Sequence, residues 1–216
     1  MEMETIPDKS KREFQLERMI LFSDAVFAIA ITLLVIEIKV PHLEEQSDGA
    51  VAREMLHLLP KIFGFITSFF VIGIFWTVHH RIFGTVVNYN TKLLWLNLLF
   101  LLSIALMPFS TALYSEFYMP QLIVPYIFYT INISLIGFLN FLIVRHINNP
   151  KNQLRDEYDE PNAVKASYAR ALMMPIIFTI GLIIGLLTFP AIGRICPILI
   201  PVYLVIVNKW FRPAST

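Results

Sequence analysis

Four stretches of this chain contain no Asp, Glu, Lys or Arg at all: Ile62 to His80, Leu93 to Ser115, Phe117 to Val144 and Ala171 to Gly193. No other feature constrains the fold as much, because a helix crosses roughly 30 Å of hydrocarbon with about 20 mostly apolar residues. Met19 to Ile36 is a fifth candidate, interrupted only by Asp24. Ile195 to Asn208 is a sixth, short but extended by the interfacial residues Lys209, Trp210 and Phe211. Composition agrees: 56% of the residues are hydrophobic and 15% charged, whereas soluble domains run near a quarter charged. The fold class expected is an all-α integral membrane protein. It has a single domain of six transmembrane helices, near residues 18–39, 58–81, 92–113, 121–145, 168–188 and 192–211.

Charge sets the orientation. Of 17 Lys and Arg residues, thirteen fall on one side of this six-helix reading. They are Lys9, Lys11, Arg12 and Arg18 before the first helix; Arg81 and Lys92; Arg145, Lys151, Arg155, Lys165 and Arg170; and Lys209 and Arg212. Lys39, Arg53, Lys61 and Arg194 make up the other side. Cytoplasmic loops carry the excess of basic residues, so both termini are expected in the cytoplasm. The first external loop, 41–60, carries Glu44, Glu45, Asp48 and Glu54 and has room for a short amphipathic helix around Val51 to Leu59. No small-residue cleavage site follows the first apolar run, so that helix is expected to stay in the protein. Cys196 is the single cysteine, which gives disulfides, zinc held by cysteines and iron–sulfur clusters no support. A net charge of +1 points to no nucleic-acid partner.

Helix one holds the unusual residues. An acid within a spanning helix is costly, so Asp24 is expected to face protein or water and to have a partner, as a structural crosslink or as a functional group. At roughly 100° per residue, Ile29, Leu33 and Ile36 share one face, which Phe22 and Val26 continue and Thr32 flanks. Asp24 lies about 140° away from Ile29 on that wheel and so looks toward neighbouring helices. Helix two runs inward to Trp76, His79 and His80 at the same depth, and helix three begins there and offers Asn97. A network of Arg18, Ser23, Asp24, Trp76, a histidine and Asn97 would satisfy groups that lipid cannot. In an arbitrary membrane protein the apolar stripe would mean helix packing or lipid contact.

An Arg, three residues and then Phe22-Ser23-Asp24, on the first of six helices, resembles the transmembrane-protein-175 potassium-channel family. Phe75-Trp76-Thr77-Val78-His79-His80-Arg81 on helix two is similar to that family as well, and the length resembles its single-repeat bacterial members. The resemblance implies a homotetramer in a prokaryotic plasma membrane, with helix one of each copy lining a central pore. It implies large aliphatic residues five and twelve positions after the motif Asp at the constriction, here Ile29 and Ile36, with Leu33 and Thr32 between them. It also implies that Arg18 and the Phe-Ser-Asp segment hold the helices together beside the pore. Glu37, just beyond Ile36, is placed either in the outer vestibule or in a pair with Lys39 or another base. Potassium is the expected permeant ion, with monovalent cations and lipid the only other small partners and no cofactor. No loop resembling Thr-Val-Gly-Tyr-Gly exists here, so hydrophobic narrowing has to replace a filter of carbonyls.

Two rival readings remain. Asp24 with His79 or His80 would suit a proton relay in a coupled transporter. A metalloenzyme is weaker, because adjacent histidines point apart on a helix and His42, His57 and His146 are scattered, while a zinc or iron site needs three or more convergent ligands. Ser23 lacks a Gly-flanked elbow and a base, so nucleophilic catalysis has no support.

Overall fold

The computed structural model describes residues 8–41, 47–117, 119 and 121–211. Among them there is no strand. The helices are α1 (Asp8–Ile36), α2 (Asp48–Phe83), α3 (Thr91–Ala105), α4 (Met107–Glu116), α5 (Val124–Ile147), α6 (Pro161–Leu187), α7 (Pro190–Gly193) and α8 (Ile200–Trp210). Local chemistry sets several ends. The Ser47 side chain accepts from the Ala50 amide at the start of α2, and the Asn90 side chain accepts from Leu93 at the start of α3, supplying the acceptors that the first turn lacks. Pro108 has no amide hydrogen to continue the ladder, and the break between α3 and α4 falls at Leu106, two residues before it.

Five helical stretches are long and apolar enough to cross a membrane: Lys11–Ile36, Asp48–Phe83, Thr91–Glu116, Val124–Ile147 and Pro161–Leu187. The segment expected to cross as a single helix over 192–211 takes a different form. It consists of the short α7, a 3-10 turn at Cys196–Leu199 and the eleven-residue α8. Pro190, Pro197 and Pro201 lie in that stretch, and each removes a helix-propagating amide. The amphipathic helix expected in the first external loop is the beginning of α2, which runs on through Pro60. Glu44 and Glu45 of that loop, and Arg212, lie outside the described residues.

Lipid tails are as apolar as leucine, so helices in a bilayer associate through close packing and polar contacts rather than through exclusion of water. Both are present. Gly137 of α5 faces Pro175 of α6, where an added Cβ would overlap the proline ring. Ile133, Ile136 and Ile143 of α5 pack with Met173, Met174, Ile177 and Phe178 of α6 in the core. A buried polar cluster joins three other helices: Ser68 Oγ of α2 lies 2.8 Å from Tyr129 Oη of α5 and 2.7 Å from Thr111 Oγ1 of α4. Nearby, Asn132 donates to Ser110 Oγ at 2.9 Å. Coverage is uneven: over their apolar stretches, 56% of the α5 residues are buried but only 22% of the α1 residues.

Gly137→Ala should lower the melting temperature of the detergent-solubilised protein, at a cost of about 1–3 kcal/mol for overpacking against a ring that cannot rotate away. Gly73→Ala, with open space around its Cβ, should leave it unchanged or raised. An unperturbed Gly137→Ala protein would mean that α5 and α6 do not approach this closely.

Candidate functional site

The sequence of α1 divides it into two faces. Leu16, Ser23, Phe27, Ala30 and Leu34 are buried, and their spacing of seven, four, three and four residues is one helical stripe. The opposite stripe is apolar and uncovered: Phe22 is 53% exposed, Ile29 57%, Leu33 40% and Ile36 66%. Thr32 is exposed on the flank, its hydroxyl donating to the Ile29 carbonyl at 2.9 Å. Val26 is half-buried at the margin.

Ser23 and Asp24 decide which stripe faces in. Asn97 of α3 donates from Nδ2 to Ser23 Oγ at 2.9 Å, and the Ser23 hydroxyl in turn donates to the Met19 carbonyl at 2.8 Å. Asn97 Oδ1 lies 2.9 Å from His79 Nε2 of α2, a bond in which the ring N–H donates to the amide oxygen. Trp76 Nε1 donates to Asp24 Oδ1 at 2.9 Å. Thus α1 is tied to α3 through Ser23, to α2 through Asp24, and α2 to α3 through His79. Ser23, His79 and Asn97 are all buried. Bonds of this kind are high-stakes, because a partner removed in a dry site leaves the other group with neither water nor protein to bond.

The imidazole of His79 sits in an aromatic box. Its ring stacks on Phe83 with centroids 4.1 Å apart and on Phe100 at 5.6 Å, and Phe27 tilts against it at 5.6 Å. His79 Nδ1 has no hydrogen-bond partner. His80 is exposed and stacks on Trp76 at 5.4 Å. Arg18, which the sequence groups with this network, lies exposed on α1 over the Phe14 ring, 5.8 Å from its centroid. Glu37 is exposed, on a cleft with Lys39, Lys61 and Glu116. The last two pair at 2.5 Å, while Lys39, like Glu37, is exposed.

The structure therefore gathers Ser23, Asp24, Trp76, His79 and Asn97, and sets the Ile29–Leu33–Ile36 stripe apart from them. Sequence reasoning did not single out Phe27, Phe83 and Phe100, because aromatic residues in spanning helices carry no signal of what they surround. Nor did it single out Ser68, Thr111 and Tyr129. Each is polar within a charge-free run, the one sequence signal that marks them. Among the described residues, no group of three or more His, Cys, Asp or Glu could hold a metal ion.

Residues 18–108 match the family model described as endosomal/lysosomal potassium channel TMEM175. A potassium channel of Streptomyces collinus is 42% identical over 96 residues, covering 44% of this chain and 46% of that one. The chain thus spans about half the length of the curated bacterial relatives it matches. An endosomal/lysosomal proton channel TMEM175 of Gallus gallus is 35% identical over 107 residues, 47% of this chain and 21% of that one. The crystal structure of a lysosomal potassium-selective channel TMEM175 homolog from Chamaesiphon minutus superposes with a TM-score of 0.73 at 28% identity, over 90% of this chain and 98% of that one. The resemblance carried by Arg18, Phe22-Ser23-Asp24 and the Trp76–Arg81 segment is that of an ion-channel family, not an enzyme family. The chain is a multi-pass membrane protein.

Asn97→Ala should orphan the His79 donor and remove the bond that Ser23 accepts, leaving Ser23 tied only to the Met19 carbonyl of its own helix, at about 1–3 kcal/mol for the buried group left unsatisfied. Trp76→Phe, at the more exposed edge of the network, should cost less. Denaturant unfolding in micelles reads both, and equal losses would mean that the lock is not centred on Asn97.

Proposed function

We propose that this protein, whose residues 18–108 carry the TMEM175 pattern, is a passive cation channel preferring potassium, assembled as a homotetramer with α1 of each copy around a central pore. The observation that carries the reading is the two-faced α1. Its inner stripe is fixed by Ser23 and Asp24, while Phe22, Ile29, Leu33 and Ile36 stay largely exposed among the described residues. Four copies of that stripe make an apolar ring. Ile29, Leu33 and Ile36 form the constriction, Phe22, Val26 and Thr32 flank it, and Glu37 stands in the outer vestibule, where its charge concentrates cations. Both termini lie in the cytoplasm of a bacterial cell, and the segment 192–211 completes a sixth crossing.

An aliphatic ring blocks conduction by dewetting when narrow and passes partly hydrated ions when wider. Potassium is favoured because the smaller sodium ion loses more on shedding water, a difference that gives modest selectivity. The alternative is a proton-coupled transporter using Asp24 with His79 or His80. It has less support: Asp24 and His79 bond to different partners, Trp76 and Asn97, and aromatic rings enclose the His79 imidazole. The vertebrate relative described as a proton channel makes a proton arm necessary in the test.

Potassium flux into liposomes containing the purified protein, with sodium competing and a proton gradient applied or collapsed, decides between them. Passive potassium-favouring flux independent of the gradient is expected; flux that vanishes with the gradient favours the transporter. Ile29→Asn should widen and wet the ring and weaken discrimination against sodium, and unchanged selectivity there would count against this pore. Asp24→Ala should mainly reduce folded, assembled protein on size exclusion.

A further inference from the structure

Away from α1, a cleft of about 330 Å³ opens between α2, α6 and α8. Arg81 and Arg170 both line it, from different helices, together with Thr77, and its remaining walls are Ile74, Val78, Met173 and Leu204. The depth of the two arginines follows from the sequence: Arg81 directly follows the charge-free run ending at His80, and Arg170 directly precedes the one beginning at Ala171. Both therefore stand where hydrocarbon gives way to headgroups, at the same end of two antiparallel helices. Arg81 is exposed and Arg170 half-buried. The third wall is held in place by Tyr203 of α8, whose hydroxyl donates to the Ala169 carbonyl at 3.0 Å, one residue before Arg170.

We propose that this cleft binds an anionic phospholipid, with the headgroup phosphate between Arg81 and Arg170 and an acyl chain along Ile74, Val78, Met173 and Leu204. Guanidinium groups match phosphate oxygens with paired, charge-assisted hydrogen bonds, and basic pockets between helices at the membrane surface suit such headgroups. The apolar walls select a lipid over free phosphate. No residue of α1 lines the cleft, so the assignment rests on the membrane-spanning reading and not on conduction; a lipid-binding result and a flux result can fail separately.

The test is native mass spectrometry of the detergent-solubilised protein titrated with phosphatidylglycerol or phosphatidylcholine at equal ionic strength. Phosphatidylglycerol should be retained at least tenfold more strongly. The preference should disappear in the Arg81→Gln/Arg170→Gln protein, persist when both are changed to Lys, and persist in Arg53→Gln, which lies outside the cleft. The wild-type measurement stands even if a variant fails to fold: no preference for the anionic lipid overturns the proposal. Full displacement by millimolar inorganic phosphate would make free phosphate the ligand and overturn it too, as would equal loss in Arg53→Gln.

Discussion

A polar group in hydrocarbon has no water to fall back on, and the arrangement of α1 follows from that constraint. Ser23 and Asp24 are adjacent in sequence and point about 100° apart on the helix, so one bonds Asn97 of α3 and the other Trp76 of α2. Two directional bonds at different azimuths fix the rotation of a helix in a way that apolar contacts cannot, since a leucine stripe packs almost as well after a small turn. His79 closes the triangle by bonding Asn97, and its stacking on Phe83 and Phe100 fills the space around that bond with rigid rings.

The same helix thus separates two tasks by face. The locked face carries the polar chemistry and the buried Phe27, Ala30 and Leu34, while the free face is apolar. In the channel proposed for this protein, a polar anchor on the pore side would compete for ions and water; off-axis, it would position the apolar ring without entering it. The stiffness of isoleucine at χ1 suits the constriction proposed for Ile29 and Ile36, because few rotamers are open to collapse into the path.

The other half of the bundle uses a different means. Gly137 lets α5 come against Pro175 of α6, and Ser68, Thr111 and Tyr129 join α2, α4 and α5 through hydroxyl groups. Hydroxyls are economical crosslinks in a membrane, since one can also bond a carbonyl of its own helix, as Thr111 does to Met107 and Ser110 to Leu106. These contacts leave α5 the best covered of the spanning stretches and α1 the least.

Much of this was legible in the residues alone. Charge-free runs located the spanning helices because a bilayer imposes their length, and Asp24 announced a partner because an unpaired carboxylate in lipid is too costly. The wheel geometry of Ile29, Leu33 and Ile36 already set them away from Asp24. What the sequence left open was pairing. Trp76, His79, His80 and Asn97 were all candidates at one depth, and only the rotation of α2 and α3 brought Trp76 to Asp24 and His79 to Asn97, turned His80 outward and left Arg18 over Phe14. The last segment shows the same limit, since hydropathy reads one continuous helix where the prolines divide the stretch into a short helix, a 3-10 turn and α8. The sequence by itself determined that the chain enters a membrane as helices, since that depends on solvent and local composition. Only the tertiary structure decided which polar groups meet, since a hydrogen bond depends on distances between helices that no single helix specifies.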